Sequence, residues 1–436
     1  MKIKTTTIDL YFGLSAAGTT LRTELVAGIT TFMTMAYILA VNPAILGDAG
    51  MDRAALFTAT AVSSALATLF MALVAKLPFA LAPGMGINAF FAYTVVIGMG
   101  HSWQTALTAV FLEGLLFVLL TALNVRGLII NAIPQPLRHA VSAGIGLFIA
   151  FIGLQNSGII VESPSVLLTM GNIKSPSVLI AMGGLILTAV LLVRKVKGAL
   201  LFGMLIATVI GIPFGITQVP HGNLLSLPPS IAPVFFKFDF KSILSGDILV
   251  VIFTFLFVDM FDTVGTLVGI CDKADMFDEK GNIPRVKQAL FADSLGTMAG
   301  ALLGTSPVTT YVESAAGIAE GGKTGLTSLT VAILFLLSLF LAPVFMMVPS
   351  AATAPALIIV GFFMMSPFQK IRFDEISEAL PAFVTLVMLP LTYSIADGIV
   401  FGILSYVLIK LLSGKVREVS PVTIILALLF AAKLAL

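Results

Sequence analysis

The chain has 436 residues, of which 58% are hydrophobic and only 11% charged, with a mean hydropathy of +1.09. A soluble domain carries roughly a quarter charged residues, so the composition excludes an ordinary soluble fold and fits a chain surrounded by lipid. The net charge of +2 is too small to argue for nucleic acid, and with one cysteine (Cys271) and three scattered histidines (His101, His139, His221) neither a disulfide nor a metal cluster is expected.

In chain order, the first 22 residues lack the apolar core and cleavage site of a signal peptide. The first span is therefore expected to act as the targeting signal. Apolar segments bounded by glycine, proline or charge then run at 25–46, 54–75, 79–99, 104–123, 138–156, 176–193, 198–217, 247–270, 286–303, 307–321, 324–347, 351–365, 380–395 and 397–412. Each is about long enough to cross the hydrocarbon core or to form part of a crossing. The stretch 421–436 is short, carries Lys433 and reads as interfacial. The expected fold is an all-α polytopic membrane protein of 14 transmembrane segments. With the N-terminus inside, nineteen lysines and arginines fall in cytoplasmic segments, against four outside (Arg53, Lys174, Lys237, Lys241). A miscounted span would swap the two sides beyond it and destroy that bias. The reading is a multi-pass protein of the cell membrane with both termini cytoplasmic.

Two spans are not ordinary helices. Span 3 contains Ala82-Pro83-Gly84-Met85-Gly86-Ile87-Asn88, and span 10 contains Gly304-Thr305-Ser306-Pro307-Val308-Thr309-Thr310-Tyr311-Val312-Glu313. Proline and glycine break a helix there, and the β-branched run favours an extended piece. Broken backbone at membrane depth is tolerated only where protein buries it or where it lines a cavity. Pro83 and Pro307 lie about 224 residues apart, and Ile133-Pro134 and Val348-Pro349 about 215 apart. The chain thus repeats as seven spans plus seven. An odd number per repeat inverts the second half, and paired broken helices in an inverted repeat point to a transporter's midplane site.

Carboxylates within spans are costly and mark function. Five lie there: Glu113, Asp259, Asp262, Asp293 and Glu313. Glu313 is the foremost, because it opens the half-helix after the extended Thr309-Thr310-Tyr311 piece, where backbone N–H groups point into the site. It can accept two hydrogen bonds from a planar ligand edge, or it can simply cap the half-helix. Asp259 and Asp262 are three apart and share a helix face, which Gly265 and Thr266 extend. One of the pair can serve only to hold the helix to a neighbour. Asp293 is expected to brace backbone, and Glu113 to be structural. Glu24 and Asp397 lie near span ends and are expected to reach the interface. Asn88 is a neutral hydrogen-bonding group at the place in span 3 that matches Glu313 in span 10. No lysine or arginine is expected at the centre, which suits an uncharged, planar, hydrogen-bonding solute. Desolvation disfavours the charged form of a buried carboxylate, so Asp262, Glu313, Asp259 and Asp293 are candidates to carry a coupling proton. No cofactor or metal is expected, and the coupling ion is expected to be H+.

As a set, Arg22-Thr23-Glu24-Leu25-Val26-Ala27-Gly28-Ile29-Thr30-Thr31-Phe32 with Val41-Asn42-Pro43, Ala82 to Ala89, Phe261-Asp262-Thr263-Val264-Gly265-Thr266 and Thr305 to Ser314 resemble the nucleobase:cation symporter-2 superfamily. The resemblance is to its adenine/guanine/hypoxanthine permease branch and covers nearly the whole chain. It implies two inverted repeats arranged as a core domain (22–124 and 241–347, spans 1–4 and 8–11) and a gate domain (125–240 and 348–413, spans 5–7 and 12–14), followed by a tail at 414–436. It also implies short strands in spans 3 and 10, an elevator-like movement of core against gate, and a homodimer through the gate. By position, Asp262 and Glu313 match base-contacting acids, and Gly86 and Asn88 match the branch's span 3 motif. Thr310, Tyr311 and Thr266 complete the substrate-site candidates. Thr266 stands where uracil-type relatives place a histidine, and Ser314 replaces an amide of uracil and xanthine relatives; both departures favour purines. The implied activity is proton-coupled purine import. An anion transporter of the same fold, a uracil or xanthine permease, a membrane-embedded enzyme and a channel are the alternatives.

Overall fold

The computed structural model describes residues 7–123, 134–219, 223–241, 246–273, 276, 283 and 285–435. His221, Ile133, Asp275, Asp278, Glu279, the basic Lys2, Lys4, Arg126 and Lys280, and the expected boundary at 124/125 lie outside the described residues.

Each expected span coincides with an observed element or a group of them. Span 1 is Leu21–Met35 and Ile38–Asp48, interrupted at Ala36-Tyr37. Span 2 is Arg53–Phe70 with a π-helical last stretch, Met71–Ala75. Span 3 is strand β1 (Leu81–Pro83) followed by Met85–Ala89 and the π-helical Phe90–Gly98. Spans 4 to 7 are Trp103–Ala122, Gln135–Asn156, Pro176–Val193 and Ala199–Gly211. Between spans 5 and 6 lies a hairpin of β2 (Ile160–Ser163) and β3 (Leu167–Met170). Spans 8 and 9 are Gly246–Lys273 and Val286–Leu303. Span 10 is strand β4 (Val308–Thr310) and a short helix, Ser314–Ala319. Span 11 is Gly325–Ser338 continued through Leu339–Leu341 to Met346, and spans 12 to 14 are Ser350–Met364, Ile376–Leu391 and Ile395–Leu412. A last helix, Pro421–Ala435, packs on span 14.

Among the described residues, nine helices are long and apolar enough to cross a membrane. The other five spans depart for visible reasons. Spans 3 and 10 are broken, spans 7 and 13 are short, and span 9 carries Lys287 and Asp293. Helix starts follow capping chemistry, in which a side-chain oxygen accepts an otherwise orphaned N–H. Thr20, Asp52, Ser102, Ser175, Thr324 and Ser394 do this for spans 1, 2, 4, 6, 11 and 14.

Glu24 corrects an expectation. It is fully buried instead of reaching the interface. Its carboxylate accepts from the backbone N–H of Lys323, Thr324 and Thr327 and from the hydroxyls of Thr324 and Thr327, at 2.6–3.3 Å. The first turn of span 11 starts inside the protein, away from water, so its free N–H groups need an acceptor from a neighbouring span.

Spans 5, 6, 7, 12, 13 and 14 pack chiefly on one another, through pairs such as 5 with 12, 5 with 13 and 13 with 14. Spans 1, 2, 4, 8, 9 and 11 form a second packed group around the two broken spans, through pairs such as 4 with 9, 2 with 9 and 1 with 11. Glycine permits the closest approaches. A Cβ at Gly296 would meet Ala67 at 2.7 Å, and one at Gly28 would meet Thr330 at 2.5 Å.

β1 and β4 pair antiparallel, with Leu81 opposite Thr310, Ala82 opposite Thr309 and Pro83 opposite Val308. Two elements related by an inverted repeat meet head to tail, so antiparallel pairing is the arrangement expected of them. A two-stranded sheet inside a membrane protein exposes edges that water cannot satisfy. Side chains close them here. The Thr68 hydroxyl bonds both N and O of Leu81, at 2.9 and 3.0 Å, and Thr297 donates to the Val308 carbonyl at 3.1 Å. Ser314 accepts from Ala80 N at 2.9 Å. The Tyr311 hydroxyl donates to Pro83 O at 2.6 Å, tying one broken span to the other.

Candidate functional site

The half-helices of spans 3 and 10 start at opposite ends of the β1–β4 pair, and the candidate residues gather around them. Glu313 is half-buried at the N-cap position of the span 10 half-helix. Its side chain makes no capping bond to that helix; instead the Tyr37 hydroxyl donates to its Oε1 at 2.7 Å. Tyr37 sits at the short interruption of span 1, between Leu21–Met35 and Ile38–Asp48, and is fully buried. The half-helix Ser314–Ala319 is six residues long, so its dipole is small. The one in span 3 continues through Gly98.

Asp262 lies close enough to Glu313 for their charges to interact, although it comes from span 8. The span 8 face with Asp262, Gly265 and Thr266 is half-buried to exposed, whereas Asp259, Thr263 and Leu267 are buried. The three-residue spacing therefore separates the two aspartates by environment. Asp262 faces the accessible side, and Asp259 points into the packing between spans 8 and 9, where Thr297 lies 3.2 Å from its Oδ2.

Asp293 engages side-chain hydroxyls around strand β4. Its two oxygens accept from Thr263 at 2.9 Å and from Thr310 at 3.0 Å, and Thr263 also bonds Thr309 at 2.6 Å. The hydroxyls of Thr310 and Tyr311 are thus engaged with Asp293 and Pro83. Both residues shape the site through backbone. Asn88 is fully buried; Ser306 donates to its Oδ1, while its Nδ2 has no partner among the described residues. Asn42 ties span 1 to span 2 and to the start of the broken segment through Thr60 at 2.7 Å and Thr305 at 2.9 Å.

Gly86 explains itself by contact. A Cβ there would run into the Ile145 side chain of span 5, with Met364 of span 12 3.7 Å away. It lies where the span 3 half-helix meets the packed group of spans 5–7 and 12–14. Gly86→Val should lower uptake by about tenfold or more through overpacking at this seam, with unchanged amounts of protein in the membrane. Uptake at the native rate would show that the seam need not stay close.

Sequence reasoning missed Tyr37, Thr68 and Thr297, and gave no role to Asn42 or Thr263. It also expected no basic residue near the centre. Arg138, at the start of span 5, places its guanidinium 5.9 Å from the ring centroid of Phe261, the residue before Asp262. Among the described residues, no ion pair joins a lysine or arginine to Asp262 or Glu313.

Inverted seven-span repeats meeting at two broken spans, with carboxylates and amides between them, define a secondary-transporter scaffold. Residues 22–401 match the model of the Permease family, and the chain belongs to that family. It is 44% identical to Adenine permease AdeP of Escherichia coli (strain K12), over 98% of this chain and 96% of that protein. It is 47% identical to Guanine/hypoxanthine permease PbuG of Bacillus subtilis (strain 168), over 94% of this chain and 96% of that one. The resemblance of its motifs to nucleobase:cation symporters is thereby borne out, and it is a permease rather than an enzyme. Among solved structures, the transmembrane domain of the cyanobacterium bicarbonate transporter BicA matches with a TM-score of 0.66 at 18% identity, covering 87% of this chain and 97% of that one. A likeness at that identity is one of fold.

Proposed function

We propose that the protein imports purine nucleobases across the cell membrane by proton symport. The observation that carries this reading is the pair of half-buried carboxylates, Glu313 of span 10 and Asp262 of span 8, near enough for their charges to interact and without an ion-pair partner among the described residues. A purine presents ring and exocyclic N–H donors in one plane, and a carboxylate accepts two such bonds side by side. Glu313, oriented by Tyr37, is the principal acceptor. Asp262 binds the base from span 8 or carries the proton, and the Nδ2 of Asn88 donates to a ring nitrogen or carbonyl. Gly86 lets the span 3 half-helix pack close against Ile145 of span 5 beside the base. Thr266 lines the accessible face of span 8, and Thr310 and Tyr311 hold the strand.

The permease relatives of adenine and of guanine/hypoxanthine, each similar over nearly the full chain, support a purine. The fold likeness to a bicarbonate transporter does not extend to chemistry, because two carboxylates would repel an anion at the site. Spans 1–4 and 8–11 form the core that carries the base, and spans 5–7 and 12–14 form the gate, against which the core moves as an elevator. Both termini face the cytoplasm, and a homodimer forms through the gate. The test is uptake of labelled base in competition with unlabelled solutes. Inhibition by purines and not by sulfate supports the reading, and inhibition by sulfate alone contradicts it.

A further inference from the structure

The base site accounts for Glu313, Asp262 and Asn88, and the strand accounts for Asp293. Within the spans, two buried acids remain among the described residues. Glu113 of span 4 is fully buried, and neither of its oxygens has a hydrogen-bond partner among the described residues. Asp259 of span 8 is also fully buried, and its Oδ1 has none. The two are near enough for their charges to interact, and the charge of Asp293 reaches both. Among the described residues, no lysine, arginine or histidine is paired with either acid.

An ionised carboxylate can only accept, whereas a protonated one can also donate. Leaving ionised carboxylates in a dry interior with neither a donor nor a cation is far more costly than burying a neutral group. Protons resolve the deficit. Thr297 points the same way. Its hydroxyl lies 3.2 Å from Asp259 Oδ2 and 3.1 Å from the Val308 carbonyl, yet it has one hydrogen to give. A protonated Asp259 that donates to Thr297 leaves the threonine hydrogen wholly to Val308 of strand β4, whereas an ionised one must share it. Ionised Asp259 competes with the strand for that hydrogen.

We propose that Glu113 and Asp259 form a proton-binding site behind the base site, loaded and emptied in each transport cycle and coupled to strand β4 through Thr297. The site rests on the reading of the protein as a proton-coupled base carrier and gives the proton a place separate from the residues that hold the base. Loading forms one carboxyl O–H bond from a proton of the outer solution, and unloading returns that proton to the inner one. The elements packed on span 4 are spans 8, 9 and the helical part of span 3. From these, Asp259 and Asp293 are the acids whose charges reach Glu113, and Asp262 reaches Asp259. In span 3 the titratable group is Tyr93, whose hydroxyl donates to Asp48 at 2.9 Å. Among the described residues these acids do not converge as metal ligands would, which favours a proton over a metal cation.

The test uses the full chain in liposomes, with labelled adenine, guanine and hypoxanthine as probes. Two quantities are read: base counterflow without a pH gradient, and base accumulation driven by an inward proton gradient. Glu113→Gln should keep counterflow within about twofold and lose gradient-driven accumulation by about tenfold or more, since an amide holds the shape without the proton. Normal gradient-driven accumulation by Glu113→Gln overturns the proposal, as does accumulation by the native protein that a sodium gradient drives and a proton gradient does not. Should Glu113→Gln fail to reach the bilayer, Asp259→Asn and the native protein decide. Base binding by native protein in weak buffer must change the pH of the solution, and no change overturns the proposal. Absence of native counterflow with all three purines overturns the purine reading as well, whereas intact coupling in Glu113→Gln overturns this inference alone.

Discussion

Glu313→Ala should abolish base uptake while leaving the protein in the membrane. Glu313 is the half-buried carboxylate that Tyr37 holds at 2.7 Å, and its side chain makes no capping bond to the helix it opens. A hydrogen bond to a charged group contributes about 1.5–3 kcal/mol. Losing two such bonds lowers base affinity by a hundredfold or more, at about 1.4 kcal/mol per factor of ten. The fold should tolerate the change, because the helix that Glu313 opens draws no capping bond from it. Uptake and surface amount measured together in one strain check this. Tyr37→Phe, which removes the orienting bond and keeps the acid, should cost about tenfold. Native uptake by Glu313→Ala would remove this residue from the base site.

The second large effect is on stability. Glu24→Ala should destabilise the protein by about 3 kcal/mol or more, since each buried donor left without an acceptor costs about 1–3 kcal/mol. Three backbone N–H groups and two hydroxyls at the start of span 11 depend on that one carboxylate. Glu24→Gln keeps one acceptor oxygen and should lose less. Thermal unfolding of the purified protein in detergent, with and without base, measures both. An unchanged midpoint in Glu24→Ala would mean that water or another side chain replaces the cap.

What was legible in the sequence and what was not follows from the range of the interactions. The spans were legible because lipid demands long apolar runs, and Pro83 and Pro307 announced the two breaks. Glu313 and Asp262 were legible because a carboxylate within an apolar run is costly. Their neighbours were not, because they are joined across hundreds of residues. Nothing near Tyr37 says that it will meet Glu313, and nothing near Thr310 says that Asp293 will engage its hydroxyl. Glu24 was misplaced because distance from a span end predicts depth in lipid. It does not predict that the start of span 11 folds over the side chain. The spacing of Asp259 and Asp262 put them on one face, and only packing against span 9 showed that they look into different surroundings. The β2–β3 hairpin went unread because two strands of four residues each leave little pattern.

The most direct test of the account is uptake of labelled purine by a cell that lacks its own purine transporters and carries this protein, at two pH values and with unlabelled adenine, guanine, hypoxanthine, uracil and sulfate as competitors. The account predicts saturable uptake that rises at the lower external pH, is suppressed by one or more of the purines, and is unaffected by uracil or sulfate. Uptake suppressed by uracil or sulfate and indifferent to all three purines would contradict it.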